Sequence, residues 1–270
     1  PWGPHVYVGT TDIDYSGDLS RPFAAEDDRE LILEAANTYF PEAALTPADI
    51  VGSWCGLRPL VAPEKGQAPS SRVSREHILM GGEDGLITMT GGKLTTYRLM
   101  AKWLVDRAVQ FLRSGPPKRA VPGSSTKRRP RPGAVGLAEA GGLAGLRASL
   151  ETRPGVTGDV AQHLVDGYGT RAEAVLAAAR GPEDLAAVVP GHPVTWAELT
   201  HAVITEHATT LEDFLGRRTQ LVFRAPEASL TVIDAVADRM GALLGWTPER
   251  RAAEIAAYRA EVAGRMRCKG

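Results

Sequence analysis

Apolar and polar residues alternate near the start of the chain, where the first strand is predicted. Val6 and Val8 alternate with a tyrosine and a glycine, and Ile13 lies between two aspartates. Successive side chains of a strand point to opposite faces, so this period of two predicts a strand over residues 5–15. A helix is predicted over residues 26–39, because acidic residues occupy its first turn and a proline follows its end.

Short apolar segments continue the pattern up to a second long helix. The glycine-interrupted sequence at residues 50–61 predicts a strand that closes near a proline. Residues 73–80 and 85–90 predict two strands, which a glycine-rich turn joins. Apolar residues then recur at helical spacing and predict a helix over residues 95–112.

The remainder of the chain shows helical patterns and no convincing strand. Thr170 with Glu173, and Thr195 with Glu198, have the spacing of capping boxes at helix starts. Five or six helices are predicted over residues 134–270, which we therefore interpret as a small all-α domain. Residues 1–114 form the preceding domain, in which strands and helices are mixed.

A basic segment separates these two regions. Residues 114–134 contain six Lys or Arg residues and no acidic residue, among prolines, glycines and serines. This composition predicts a solvated linker, placed at residues 115–133. The alternative is a basic strip beside an anionic membrane surface, where each cation adds roughly 1 kcal/mol of attraction.

Composition narrows the class of protein. The 270 residues are 43% hydrophobic and 23% charged with a net charge of −1, so no global basic field indicates nucleic-acid binding. No apolar run approaches the roughly 20 residues of a membrane-spanning helix, and no secretory leader is visible. Cys55 and Cys268 match no metal or redox spacing, which fits a reducing cytoplasm and no metal site.

The sequence GYGTRA at residues 167–172 fits the loose dinucleotide-binding pattern, but its context argues against that role. The fingerprint requires a strand before the glycines and a parallel βαβ unit around them. Here the preceding residues have a helical pattern and further helices follow. We therefore do not interpret this segment as a nucleotide site.

The sequence TGGKLTTYR, which begins at Thr90, carries the first candidate chemistry. Gly91 and Gly92 let a ligand approach the backbone, and the following helix start favours negative charge. Lys93 adds a full positive charge there. A reduced flavin carries negative charge around N1 and the C2 carbonyl, so a helix start with a lysine suits it. The alternative is a plain helix entry, capped by Thr95 or Thr96.

Two arginines form the second candidate feature. Arg58 lies at the end of a predicted strand, and Arg75 is two residues from His77, so these two share a strand face. Guanidinium groups match phosphate oxygens bidentately, which suits a phosphate site. Surface ion pairs are the alternative for each arginine, and His77 is either a proton-transfer group or a structural residue.

These motifs together resemble one family. The segments PWG, VGTTDIDYSGD, GLRPLV, SREH, TGGKLTTYRLMA and LEDFLGRRTQL, in this order and spacing, strongly resemble FAD-dependent glycerol-3-phosphate dehydrogenase. The resemblance covers almost the whole chain. It implies an α+β architecture, with the end of a flavin and substrate domain of the D-amino-acid-oxidase-like type followed by the family's helical C-terminal domain.

The resemblance also implies an activity. Such enzymes oxidise sn-glycerol 3-phosphate to dihydroxyacetone phosphate in glycerol catabolism, passing a hydride from C2 to flavin N5 and electrons to membrane quinone. Arg58 and Arg75 would bind the substrate phosphate, and Lys93 would act catalytically beside the flavin and the substrate oxygen. The residues implied to line the pyrimidine end of FAD are Gly91, Gly92, Lys93, Leu94, Thr95 and Thr96, with Thr10, Thr11 and Asp12 facing that region.

One departure from the family pattern limits this expectation. The family's Gly-x-Gly-x-x-Gly loop, which holds the ADP part of FAD, is not found in these 270 residues. The first residue is Pro1, and we expect a longer protein whose upstream part carries that loop and the catalytic base. This chain alone is then expected to bind FAD weakly.

The same motifs are compatible with two other functions. One is a glycerol-3-phosphate oxidase that uses oxygen, and the other is a non-catalytic interaction fragment. We expect a cytoplasmic protein without nucleic-acid partners. Peripheral contact with the inner face of the membrane and homo-oligomerisation stay open.

Overall fold

A computed structural model describes residues 2–20, 22–58, 60, 77–81, 85–113 and 120–266. The chain forms two compact units, each discontinuous in sequence. The first, called the helical unit below, comprises Pro1–Gly9, Phe23–Trp54 and Pro130–Gly270. The second, called the hairpin unit, comprises Thr10–Pro22 and Cys55–Arg129.

Helices dominate the described residues. The α-helices are α1 (Glu26–Tyr39), α2 (Tyr97–Arg113), α3 (Gly142–Glu151), α4 (Gly158–Tyr168), α5 (Ala172–Leu176), α6 (Trp196–Ile204), α7 (Leu221–Arg224), α8 (Pro226–Thr231), α9 (Ile233–Leu244) and α10 (Pro248–Met266). The strands are β1 (Ile78–Gly81) and β2 (Ile87–Thr90), and a π-helical segment spans Asp213–Arg218.

The hairpin unit is built on β1, β2 and α2. The two strands pair antiparallel, with Ile78 opposite Thr90 and Gly81 opposite Ile87. This pairing confirms the predicted hairpin, although residues 73–76 and 82–84 of that prediction lie outside the described residues. The predicted helix over residues 95–112 is confirmed as α2, which contains no buried residue. Among the described residues of this unit, none is fully buried.

Two predicted strands are wrong. Residues 6–15 form no strand, and Val6 and Ile13 are 70% and 63% exposed. The described part of residues 50–61 also contains no strand. A strand exists only when a second strand satisfies its backbone groups, and within the described residues no second strand lies alongside either segment. Alternation in sequence cannot supply that partner.

The core of the helical unit comes from α6, the π-helical segment, α9 and α10. Burying one large apolar side chain stabilises the fold by roughly 1.5–3 kcal/mol. A smaller apolar cluster lies among α3, α4 and α5. The largest fully buried side chains include Leu199, Leu211, Phe214, Leu215, Ile233, Met240 and Tyr258.

Segments distant in sequence complete the helical unit. The Trp54 ring lies 5.8 Å from Trp2 and 5.2 Å from Phe223, in edge-to-face arrangements that favour aromatic contact. Trp2 Nε1 donates a hydrogen bond of 3.1 Å to Gln220. The domain boundary at residues 115–133 stays a prediction. The structure adds that Pro1–Gly9 and Phe23–Trp54 pack with the helical residues.

Gly169, in the rejected dinucleotide motif, has a packing role together with Gly133. A Cβ on Gly169 would lie 2.1 Å from the backbone oxygen of Gly133, and a Cβ on Gly133 would lie 2.6 Å from that of Tyr168. Two backbone segments thus meet at a distance that excludes side chains.

No helix within the described ranges is both long and apolar enough to cross a bilayer.

Candidate functional site

The connection from β2 to α2 places the candidate flavin residues. Gly91 and Gly92 have φ angles of 75° and 85°, which L-residues with a side chain rarely adopt. A Cβ on Gly92 would also lie 2.6 Å from the Sδ atom of Met100. Both glycines are therefore required for the chain to turn sharply from strand to helix.

Lys93 lies at the cap position of the helix that follows this turn. A short 3₁₀ segment, Leu94–Thr96, leads directly into α2, and the Lys93 backbone is extended, with φ −124° and ψ 145°. The backbone N–H and the hydroxyl of Thr96 both donate to the Lys93 carbonyl, at 2.9 Å each. Thr96 therefore stabilises the turn. The side chain of Lys93, the cap residue, makes no capping hydrogen bond.

The chemistry of this turn favours a negative or electron-rich group. The first N–H groups of a helix lack intrahelical acceptors and carry partial positive charge. Lys93 is exposed, and no carboxylate of the described ranges pairs with it. Leu94 is 87% exposed, and Thr95 and Thr96 are also exposed. The candidate cofactor residues thus form one accessible surface that combines a cation with backbone donors.

Arg58, the first predicted phosphate ligand, forms an ion pair. Its Nε lies 3.1 Å from Oδ1 of Asp12, and both side chains are about two-fifths exposed, at 42% and 43%. The backbone of Arg58 is fixed as well, because Leu60 donates its N–H to the Arg58 carbonyl at 2.9 Å. Arg75, the second predicted ligand, lies outside the described residues, so the convergence of two arginines stays a prediction.

His77 has a packing role in the hairpin unit. Its ring lies 4.6 Å from that of Trp103 on α2, tilted by 36°. A Cβ on Gly92 would come within 3.2 Å of the His77 Cβ. Of the two interpretations of His77, the structural one is supported by these contacts.

A buried polar cluster in the helical unit was only partly visible in the sequence. The capping box of Thr195 and Glu198 is confirmed, with Thr195 donating its backbone N–H to Glu198 at 2.7 Å. Glu198 is 1% exposed and also contacts His163 Nε2 at 2.8 Å and the hydroxyl of Tyr168 at 3.2 Å. Burial, together with the nearby charge of Glu198, raises the pKa of Tyr168 far above its ordinary value. The cluster ties α4 to α6.

Another feature without a sequence signal is the partnership of Asp12 with Arg58. Asp12 was expected to face the flavin region, but nothing in its spacing indicated an arginine far along the chain. Ion pairs between distant residues depend on the tertiary fold, so a single sequence does not predict them.

Comparison with known proteins gives a consistent result. A family model described as FAD dependent oxidoreductase matches residues 1–107, and a model of the C-terminal domain of alpha-glycerophosphate oxidase matches residues 124–251. A glycerol-3-phosphate dehydrogenase of Mycobacterium leprae is 37% identical over 266 residues, covering 97% of this chain and 43% of that protein. An aerobic glycerol-3-phosphate dehydrogenase of Staphylococcus aureus is 32% identical, covering 95% and 45%.

A solved structure also resembles the whole chain. The crystal structure of glycerol-3-phosphate dehydrogenase from Bacillus halodurans, complexed with FAD, superposes with a TM-score of 0.76 at 28% identity. The match covers 95% of this chain and 48% of the other. The chain thus spans less than half the length of these relatives. The predicted α+β fold class is confirmed, and the chain belongs to the family of FAD-dependent glycerol-3-phosphate dehydrogenases.

Proposed function

We propose that the protein oxidises sn-glycerol 3-phosphate to dihydroxyacetone phosphate with FAD, and passes the electrons to membrane quinone. The observation that carries this proposal is the turn at Gly91 and Gly92, which presents an exposed lysine at a helix start. The relatives named glycerol-3-phosphate dehydrogenase, and the solved neighbour with FAD, support the choice of substrate and cofactor.

The residues of this turn fit the pyrimidine end of a flavin. Backbone N–H groups and Lys93 offer donors and positive charge, where a reduced ring concentrates its negative charge. When bound, FAD would accept the hydride that leaves C2 of the substrate, and the proton of the C2 hydroxyl would pass to the catalytic base that the family resemblance implies. Lys93 stabilises negative charge on the ring and orients the substrate oxygen, and the two glycines keep side chains out of the approach.

Arg58 and Arg75 are proposed to hold the substrate phosphate. Each guanidinium donates charged hydrogen bonds to phosphate oxygens, worth about 1.5–3 kcal/mol. Binding energy from this non-reacting group positions C2 for the reaction. Glycerol lacks the phosphate, so it reports on the site without these contacts.

Substitution of the two arginines tests the proposal in the full-length, FAD-loaded enzyme. Arg58→Ala and Arg75→Ala are each expected to lower kcat/KM for glycerol 3-phosphate about ten- to hundredfold. Their effect on glycerol oxidation should be far smaller. Arg107→Ala, which removes an exposed arginine bonded to Gln110, is the control and should change neither substrate's kinetics. Equal losses on both substrates would show that Arg58 and Arg75 hold structure rather than phosphate.

A second candidate is the corresponding oxidase, which transfers the electrons to oxygen. Its supporting observation is the match of residues 124–251 to a domain described for alpha-glycerophosphate oxidase. Oxygen uptake by the full-length enzyme, measured with and without a soluble quinone, separates the two. Turnover that needs quinone supports the dehydrogenase. Rapid oxygen consumption without quinone supports the oxidase.

A further inference from the structure

We infer that Asp12 is a positioning residue for Arg58, and that it aims the terminal nitrogens of the guanidinium at the phosphate of the substrate. This inference rests on the proposed function, because it assigns a partner to the proposed phosphate ligand. Asp12 and Arg58 both belong to the hairpin unit, so their contact lies within one compact body.

The contact uses one side of the guanidinium. Asp12 Oδ1 approaches Nε at 3.1 Å, the nitrogen nearest the aliphatic stem. The terminal nitrogens of Arg58 donate no hydrogen bond to a residue that the structure describes, and the ion pair with Asp12 is recorded at Nε. A guanidinium has five donors in a fixed planar fork, so engaging Nε leaves the four terminal N–H groups available. Those groups form the pair that binds a phosphate bidentately.

The rest of Arg58 is held at its backbone. Its carbonyl accepts the N–H of Leu60 at 2.9 Å. A proline follows Arg58 in the sequence and restricts the backbone of the residue before it to extended conformations. The flexible side chain would still sample many rotamers from this fixed base. Asp12 removes that freedom at the far end, so that the arginine is ordered before the substrate arrives.

Ordering of this kind affects binding more than stability. An ion pair as exposed as this one contributes little to the stability of the fold, because water and salt screen it. Immobilising a long side chain when a ligand binds, by contrast, weakens affinity by up to about tenfold. Competition between Asp12 and phosphate for the same cation would have the opposite effect, because removal of Asp12 would then strengthen phosphate binding. The two effects have opposite signs in a binding measurement.

Two substitutions at Asp12 in the full-length, FAD-loaded enzyme test the inference. Asp12→Ala should raise KM for glycerol 3-phosphate, and the dissociation constant of inorganic phosphate measured by calorimetry, each about tenfold. Asp12→Asn keeps an acceptor for Nε and should raise both constants by only about threefold. Asp14→Asn, an exposed acid two residues away, is the matched control and should change neither. With the two Asp12 variants, KM for glycerol should change far less than KM for glycerol 3-phosphate. With Asp14→Asn, kcat and both KM values should stay near those of the wild type.

A double substitution shows whether Asp12 acts through Arg58. In the Arg58→Ala background, Asp12→Ala should cause no further rise in KM, because the residue it positions is gone. Additive losses, a fall in KM for Asp12→Ala, or equal losses on glycerol with lowered Tm would each overturn the inference. An enzyme that fails to oxidise glycerol 3-phosphate overturns the proposed function instead. Weakened phosphate binding in Arg58→Ala, with unchanged binding in both Asp12 variants, overturns the role of Asp12 alone.

Discussion

Single residues of the hairpin unit carry the proposed chemistry, and Lys93 is the most direct to test. Its charge should stabilise a reduced, anionic flavin more than the oxidised, neutral one. Lys93→Met keeps most of the volume and removes the charge. The flavin midpoint potential of the full-length enzyme should then fall by about 30 mV, which equals about 1.4 kcal/mol for a two-electron couple. The rate of flavin reduction by substrate should drop, while FAD content stays close to that of the wild type.

The control for this prediction is a lysine on the adjoining helix. Lys102 pairs with Asp106 one turn further along α2, so Lys102→Met removes a cation that is already neutralised. Its potential should match that of the wild type. If Lys93→Met leaves the potential unchanged at full flavin occupancy, Lys93 has no part in the mechanism. Lost flavin and lowered Tm would indicate that the lysine supports the helix start.

A second residue-scale prediction concerns Asp184 in the helical unit, which is 1% exposed and ion-paired with Arg239. Burial alone would raise its pKa. The hydrogen bonds from Arg239 and the Arg180 backbone, with both positive charges, outweigh this effect, so the net pKa of Asp184 is below the ordinary 3.8. A lowered carboxyl pKa stabilises the fold above about pH 3.8, and this contribution is lost as the pH falls below that value.

Asp184→Asn should therefore lower the free energy of unfolding by about 2 kcal/mol at pH 7, and by less at pH 3. Urea denaturation at both pH values measures the two differences. Glu183→Gln changes the neighbouring exposed carboxylate and serves as the control. An equal destabilisation at pH 7 and pH 3 would mean that Asp184 acts through shape rather than charge.

At the scale of elements, the two capping boxes expected from the sequence differ in the structure. Thr195 caps α6 as expected, with its hydroxyl 3.4 Å from the Glu198 N–H. The expectation for Thr170 was wrong. This residue lies within a 3₁₀ turn, Gly169–Arg171, and α5 begins after Arg171 without a side-chain cap. The two sites have the same spacing but a different local backbone.

This difference predicts unequal effects of the same substitution. Thr195→Ala removes a satisfied cap at a fully buried position and should cost about 1–2 kcal/mol of stability. Thr170→Ala is the matched control and should lie within about 0.5 kcal/mol of the wild type. Chemical denaturation of the two variants under identical conditions gives the comparison. Similar losses at both sites would contradict the assignment of the caps.

At the scale of the molecule, the two units differ in how much they bury. Helix α9 buries Ile233, Val236, Ala237 and Met240, whereas α2 buries no residue. Local opening requires less free energy where few apolar contacts must be broken. Hydrogen exchange of the 270-residue chain should therefore be slow in α6, α9 and α10, and faster in α2 and the β1–β2 hairpin. Equal protection of α2 and α9 would show that α2 is covered in solution.

Local sequence determined much of the fold, including the turn that carries the candidate cofactor residues. The helix over residues 26–39, the β1–β2 hairpin and the glycine turn before α2 all depend on interactions between near neighbours: acids in a first turn, paired short strands, and positive φ angles at Gly91 and Gly92. Such interactions are fully encoded in a short window of residues, so pattern and turn chemistry predicted them correctly.

Tertiary structure decided what depended on distant partners. The alternating residues near Val6 form no strand, because a ladder needs a second strand beside it. Trp2 and Trp54 join the helical unit through Phe223, which no local pattern could indicate. Asp12 likewise meets Arg58 only because the fold brings two irregular segments together. Packing and charge pairing act through space, so the sequence specifies them without displaying them in any local pattern.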